Sequence, residues 1–176
     1  AKYANKVLSG SDSETTKKLA KDILAYVNAA KVFFGEEPSS AISNLLGNYS
    51  SDFSPVKAEN VSIGLKEAAF VLGAKPSVRF YIASGYSAKD FVFTRGNEVL
   101  SVNSGSDERG AYVEIFSYAF AMTETLSYTV KGVSGTGKYN LSSYCSWVSE
   151  KYAGNDKAEL LDLAKKFYIY CESAGA

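Results

Sequence analysis

The chain has 176 residues, 46% of them hydrophobic, and its 19 basic residues balance 19 acidic ones. A chain of this size can bury the core of one domain, or of one domain with a small appendage, and without a basic run it lacks the charge pattern of a nucleic-acid binder. Histidine is absent, which disfavours the catalytic systems and metal sites that depend on imidazole.

The first element predicted is a helical hairpin over residues 1 to 35. The short segment KYANKVL leads into a longer amphipathic stretch whose apolar residues recur at helical spacing. Between the two segments, Ser11 and Glu14 have the spacing of a capping box. Because the apolar stripe needs a partner, we expect this hairpin to pack on the sandwich described next, with Tyr26 and Phe34 facing inward.

Residues 36 to 59 are predicted to be a linker with one helical turn in AISNLL. After it come short segments in which residues alternate between two faces with a period of two, as in β-strands. Strands are expected near 61–66, 69–72, 77–83, 90–95, 98–103, 111–117 and 125–131. Within them FVFTRGNEVLSV, with its RGN turn, has the pattern of a hairpin. Seven short strands separated by turn residues predict an antiparallel sandwich.

The C-terminal segment repeats the plan of the first hairpin. LAKDILAYVNAA, residues 19 to 30, returns as LAKKFYIYCESA, residues 163 to 174, with five of the twelve positions identical. The hairpin occurs twice and the sandwich once, so we interpret residues 1 to 35 as the tail of a preceding module and residues 60 to 176 as a complete one. The predicted fold is α+β, an antiparallel β-sandwich of about seven strands flanked by N-terminal and C-terminal helical hairpins.

Two cysteines, Cys145 and Cys171, lie on the two predicted helices of the C-terminal hairpin. Counted from a turn near residue 154, their heights along the helices differ by about 10 Å, which is beyond the reach of a disulfide. The equivalent positions of the first copy, Ala4 and Val27, are apolar. The pattern favours two buried free thiols, with a disulfide as the alternative.

Two stretches resemble ligand-binding loops without satisfying the full pattern. GVSGTGKY, residues 132 to 139, matches seven positions of a phosphate-binding loop, but Tyr139 replaces the small hydroxyl residue that would contact Mg²⁺. We therefore predict a Gly/Ser loop leading to a helix cap at Asn140 or Ser142. NSGSDERG, residues 103 to 110, matches no Ca²⁺-loop spacing, and we predict a solvated hairpin loop, no metal site and no cofactor.

Aromatic side chains beside polar ones suggest a surface on which a sugar ring could stack. Period-two alternation places Val78, Phe80, Ile82, Val113 and Ile115 on one face of the predicted sheet. It places Tyr81 and Tyr112 on the other, outer face, where burial under the helices is the alternative. The single tryptophan, Trp147, is predicted to be a packing anchor near Tyr144 and Val148. The candidate glycan-binding residues are Arg79, Tyr81, Tyr86, Asn103, Asp107, Tyr112 and Glu114.

Four segments in this order and spacing, KPSVRFYI, AMTETLSYTVKG, KYNLSSYCSWV and ELLDLAKKFYIYCESAGA, resemble a module repeated in secreted multimodular surface proteins of anaerobic gut and rumen bacteria, where it accompanies dockerins and glycoside hydrolases. The resemblance implies a secreted or cell-surface location and neighbouring modules on the same polypeptide. We expect a non-catalytic module that binds polysaccharide, with no nucleic-acid partner and no membrane insertion. The alternative is a structural spacer or protein–protein interaction module without a glycan ligand.

Overall fold

The computed structural model describes residues 2–54, 61, 63–72, 75–154 and 157–176. Its fold is α+β, as predicted, with helices towards both ends of the chain and two antiparallel sheets between them. The helices are α1 Lys2–Ser9, α2 Glu14–Phe33, α3 Ser40–Leu46, α4 Leu141–Lys151 and α5 Ala158–Gly175. The strands are β1 Leu65–Val71, β2 Ser77–Ile82, β3 Phe91–Arg95, β4 Glu98–Val99, β5 Asn103–Asp107, β6 Gly110–Phe116, β7 Leu126–Val130 and β8 Gly137–Tyr139.

The chain divides into two compact units. A helical unit contains Ala1–Pro55 and Cys145–Ala176, and a β-unit contains Val56–Tyr144. None of the described helices has the length and apolar character needed to cross a membrane.

The β-unit consists of two four-stranded antiparallel sheets, ordered β1-β2-β6-β5 (sheet 1) and β4-β3-β7-β8 (sheet 2). Aromatic rings join their inner faces, since Phe80 of sheet 1 lies 4.9 Å from Phe93 and 6.3 Å from Tyr128 of sheet 2, measured between ring centroids. The predicted alternation in β2 and β6 is confirmed, because Val78, Phe80 and Ile82, like Val113 and Ile115, are buried. Those residues form the core of the unit.

The strand predictions differ from the structure at four places. The two strands predicted within 61–72 form one strand, β1, and β4 is limited to two residues. The predicted loop 103–110 contains β5, which pairs with β6 from Asn103 to Asp107. The predicted Gly/Ser loop contains β8, which pairs with β7. Both missed strands are rich in Gly, Ser or Lys, whose low strand propensity is overridden by pairing with a neighbour.

The helical unit is held together by the packing of α2 on α5. The ring of Tyr26 stacks on Tyr170 at 5.7 Å and lies 5.2 Å from Phe167. Buried apolar residues of α5 include Leu163, Ala164 and Phe167. The assignment of residues 1–35 to a preceding module, and its packing on the sandwich, stay predictions.

One carboxylate of the helical unit, that of Asp22, is almost completely buried, with 1% of its surface exposed. Its Oδ2 accepts hydrogen bonds from Lys18 Nζ at 2.8 Å and Ser173 Oγ at 2.6 Å, and its Oδ1 accepts from Tyr49 Oη and Ser51 Oγ, both at 2.8 Å. Four donors compensate the loss of hydration. Asp22 therefore joins α2, α5 and the segment after α3.

Several details of the helices differ from the predictions. The N-cap of α2 is Ser13, which accepts a hydrogen bond from the backbone N–H of Thr16, so the capping box assigned to Ser11 was wrong. Phe34, expected to face inward, is 66% exposed. Trp147, expected to be a packing anchor, is 38% exposed and has Lys151 over its ring.

Other helix predictions are confirmed. Asn140 caps α4, because its Oδ1 accepts a hydrogen bond from the backbone N–H of Ser143 at 2.9 Å. Cys145 and Cys171 are both free and buried, and Cys145 Sγ lies 3.3 Å from the carbonyl oxygen of Ala164. The two thiols behave as small hydrophobic groups of the helical core.

Candidate functional site

Strands β2, β5 and β6 bring five of the seven predicted site residues together on the outer face of sheet 1. In the ladders Arg79 pairs with Glu114 and Tyr81 with Tyr112. Because paired residues of antiparallel strands point to the same side of a sheet, these four side chains form one layer. Asp107 completes the group by accepting a hydrogen bond from Tyr81 Oη at 2.8 Å.

Glu114 is the more enclosed of the two acids in this layer, with 9% of its surface exposed. Its Oε1 accepts hydrogen bonds from Ser77 Oγ at 2.6 Å and Arg79 Nε at 3.2 Å. Arg79 Nη1 also lies 3.5 Å from Asp107 Oδ2. The charges of this layer are therefore paired with one another.

The two tyrosine rings of the layer are each covered by a guanidinium group. Arg109 lies 4.3 Å from the ring centroid of Tyr81, and Arg79 lies 4.4 Å from that of Tyr112. The rings themselves meet edge to face, 5.8 Å apart with a 66° angle between their planes. Tyr81 is completely buried and Tyr112 is partly exposed, so the two rings do not form an open coplanar surface.

The hydrogen bond between Tyr81 and Asp107 shifts the pKa values of both residues. The hydroxyl of Tyr81 lowers the pKa of Asp107 from its ordinary value, and the backbone N–H and charge of Arg109 act in the same direction. Burial raises the pKa of Tyr81, and its bond to the Asp107 carboxylate raises it further. Tyr81 therefore stays a neutral donor to an ionised carboxylate over an extended pH range.

Tyr86 and Asn103, the two remaining predicted residues, lie differently. Tyr86 is in the connection between β2 and β3, where its ring lies 6.2 Å from that of Phe91 and 37% of its surface is exposed. Asn103 is the first residue of β5, opposite Glu114, and is exposed. Tyr86 is thus separate in the chain from the layer, whereas Asn103 lies at its edge.

An aromatic pair that the sequence predictions missed lies after β6. Tyr118 and Phe120 are 69% and 52% exposed, and their rings are parallel, with an angle of 7° and a centroid distance of 5.6 Å. Phe116, two residues earlier, is 48% exposed. Aromatic residues recur at 116, 118 and 120 in the sequence, but β6 ends at Phe116 and Phe120 lies in a short 3₁₀ helix, Ala119–Ala121.

Arg95 of β3 contacts two polar residues of the connection between β6 and β7, which also contains this aromatic pair. Arg95 Nη2 donates a hydrogen bond to Ser117 Oγ at 2.8 Å, and Arg95 Nε lies 3.1 Å from Glu124 Oε2. Glu124 is half exposed, whereas Arg95 is mostly covered. The connection thus combines the exposed rings of Tyr118 and Phe120 with two polar residues, Ser117 and Glu124, that contact Arg95.

A metal site is not found in the part of the chain that the structure describes, where no three Cys, Asp or Glu side chains are grouped so as to hold an ion. The loop predicted between residues 103 and 110 forms β5 and a tight turn, in which Asp107 Oδ1 accepts from the backbone N–H of Arg109 at 2.9 Å. Its carboxylate is therefore engaged within the turn.

Comparison with known proteins identifies no family for this chain. No family model, no curated protein and no solved structure matches it. The resemblance to modules of secreted multimodular proteins is carried by the sequence segments alone and stays a prediction.

Proposed function

We propose that this chain is a non-catalytic module that binds polysaccharide, with Tyr118 and Phe120 as its stacking surface. The observation that carries the proposal is the exposure of this parallel ring pair beside the group formed by Arg95, Ser117 and Glu124. An aromatic face packs against the apolar face of a pyranose, and neighbouring polar groups bind its hydroxyls.

Exposure of such rings needs an explanation, because burying an aromatic side chain stabilises a protein by about 1.5–3 kcal/mol and exposed aromatic clusters mark interaction sites. The two parallel rings form an exposed aromatic surface. In this proposal a sugar ring stacks on that surface, and its hydroxyls bind the half-exposed carboxylate of Glu124.

The outer face of sheet 1 has a secondary place in this proposal. Tyr112 is partly exposed and Arg79 covers one side of its ring, so a ligand could use its edge or displace the guanidinium. The closed contacts of Tyr81 and Glu114 instead support a structural use of those two residues, which favours the spacer alternative for this face.

We further propose a secreted or cell-surface location within a larger protein. The support for it is the resemblance of residues 60 to 176 to modules of secreted proteins, together with a composition rich in Tyr, Ser and Gly. The absence of histidine from the sequence supports a non-catalytic role.

Affinity electrophoresis against starch, cellulose, xylan, mannan and pectin, followed by calorimetry on any polysaccharide that retards the chain, tests the proposal. We expect retardation on at least one of them, and a loss of affinity of about tenfold or more in the Tyr118→Ala/Phe120→Ala variant. The matched control is Tyr3→Ala/Phe34→Ala, which also removes one tyrosine and one phenylalanine, 82% and 66% exposed, from the helical unit.

Each outcome separates the candidates. Loss of binding in the Tyr118/Phe120 variant but not in the control supports the aromatic pair as the site. Loss only in Tyr112→Ala transfers the site to sheet 1. Absence of retardation of the unsubstituted chain on all five polysaccharides rejects glycan binding on this panel in favour of a spacer or protein-interaction module.

A further inference from the structure

The two copies of the repeated sequence are the two helices that pack on each other in the helical unit. Residues 19–30 lie in α2 and residues 163–174 lie in α5. Tyr26 and Tyr170 occupy the same position of the repeat, and their rings stack at 5.7 Å with an angle of 19°. Contact between equivalent residues is the property of a two-fold, self-complementary interface.

The further contacts fit the same arrangement. Asp22 of α2 contacts Ser173 of α5, and Tyr26 contacts Phe167, so the helices run antiparallel with Tyr26 and Tyr170 near the centre of the interface. In a two-fold interface both copies use the same surface, and one pairing consumes it. Each α5 surface therefore accepts one α2 helix.

The interface departs from symmetry at one polar contact. Asp22 accepts a hydrogen bond from Ser173, but the repeat places Lys166 where Asp22 stands and Ala29 where Ser173 stands. Pairing of α2 with a second α2 would set the buried Asp22 opposite an alanine. Pairing of α5 with a second α5 would set Lys166 opposite a serine, without the carboxylate.

We propose that the surface of α5 covered by α2 is a docking site for the helical arm, residues 2–54, of another copy of this module. The occupant is identified by the repeat itself, because arm and docking surface carry copies of one repeat, identical at five of twelve positions, and meet through the equivalent residues Tyr26 and Tyr170. The bond between Asp22 and Ser173 favours the pairing of α2 with α5 over the two like pairings, since in a pairing of two α2 helices the buried Asp22 would lose one of its four donors. This inference does not depend on glycan binding.

The test uses the complete folded chain, with a site-specific protease sequence replacing residues 55–60. One preparation is labelled with ¹⁵N, a second is not, and both are cut after folding and then mixed. Cutting separates each chain into its arm and the remaining fragment, here called the body. Native mass spectrometry is expected to show arms of one preparation bound to bodies of the other, at one arm per body. Absence of exchanged complexes after a day, or assemblies that grow beyond one arm per body, would overturn the proposal.

The selective contact is tested by dilution of the cut complex, with a fluorophore on the exposed position Glu37→Cys reporting release of the arm. We expect Asp22→Asn and Ser173→Ala each to weaken arm binding about tenfold, and the double variant to lose much less than the product of both. The control Tyr3→Ala lies on the same arm, is 82% exposed and should leave binding unchanged. Strictly multiplicative losses for Asp22 and Ser173 would show that the pair does not select the partner.

Discussion

The ring of Tyr128 on β7 lies over Gly137 on the neighbouring strand β8. A Cβ atom added at Gly137 would stand 2.1 Å from Cζ of that ring, and Tyr128 is 1% exposed. Gly137 is therefore the residue that allows Tyr128 to fill the core between the sheets.

We expect Gly137→Ala to lower the free energy of unfolding by about 1–3 kcal/mol, because the added methyl group forces a buried ring to move. Urea denaturation of the two proteins measures the difference. Gly105→Ala is the matched comparison: its Cβ would stand 2.6 Å from Oη of Tyr112, but Tyr112 is partly exposed and can move towards solvent. Equal losses in both variants would contradict this account.

The two buried thiols are expected to be unreactive in the folded protein. Burial raises the pKa of Cys145 and of Cys171, and only the thiolate reacts with disulfide reagents. At pH 8 we expect neither to react on the timescale of an exposed thiol, and both to react in concentrated guanidinium chloride. The exposed Glu37→Cys variant supplies the reference rate, and a native cysteine reacting equally fast would refute the packing described.

Asp22 should make the stability of the protein depend on acid pH. Burial acts to raise the pKa of Asp22, but hydrogen bonds from Lys18, Ser173, Ser51 and Tyr49 outweigh it and lower the pKa below its ordinary value of 3.8. The unfolded chain thus binds the proton more readily, and the stabilisation present above about pH 4 is lost as the pH falls through the folded-state pKa.

Thermal unfolding at a series of pH values measures that dependence. In Asp22→Asn, which keeps the shape but not the charge, we expect lower stability at neutral pH and a smaller further loss in acid. Asp162→Asn, an exposed acid of α5 for comparison, should keep the steep acid profile. A variant of Asp22 as acid-sensitive as the original chain would contradict the role assigned to its carboxylate.

The alternation of residues along β2 and β6 predicted which side chains share the outer face of sheet 1, because successive residues of a strand point to opposite faces. Val78 and Phe80 were correctly placed in the core, and Arg79 and Tyr81 on the opposite face. Burial of Tyr81 could not be predicted from that pattern, since it depends on Arg109, which reaches the ring from the turn between β5 and β6.

The missed features share one cause, which is that pairing or packing partners distant in the chain decide them. β5 has the sequence NSGSD and forms because β6 supplies its hydrogen bonds. The exposure of Tyr118 and Phe120 follows from the end of β6 at Phe116, a boundary that alternation alone does not fix. The repeat predicted two similar hairpins but not that Tyr26 would meet Tyr170.

The bond between Tyr81 and Asp107 gives the last prediction. The hydroxyl of Tyr81 is the largest cause of the lowered pKa of Asp107, so Tyr81→Phe should raise that pKa towards 3.8. An NMR titration of the Asp107 carboxyl ¹³C shift measures the change. The pKa of Asp107 should return only part of the way to 3.8, because the backbone N–H of Arg109 still donates to Asp107. The folded-state pKa is the depressed one, so the stabilisation by Asp107 is lost as the pH falls, and Tyr81→Phe should reduce that loss. Tyr112→Phe, which removes a hydroxyl from the adjacent ring, is the control, and an equal shift in both variants would show that the Tyr81 hydroxyl is not the cause.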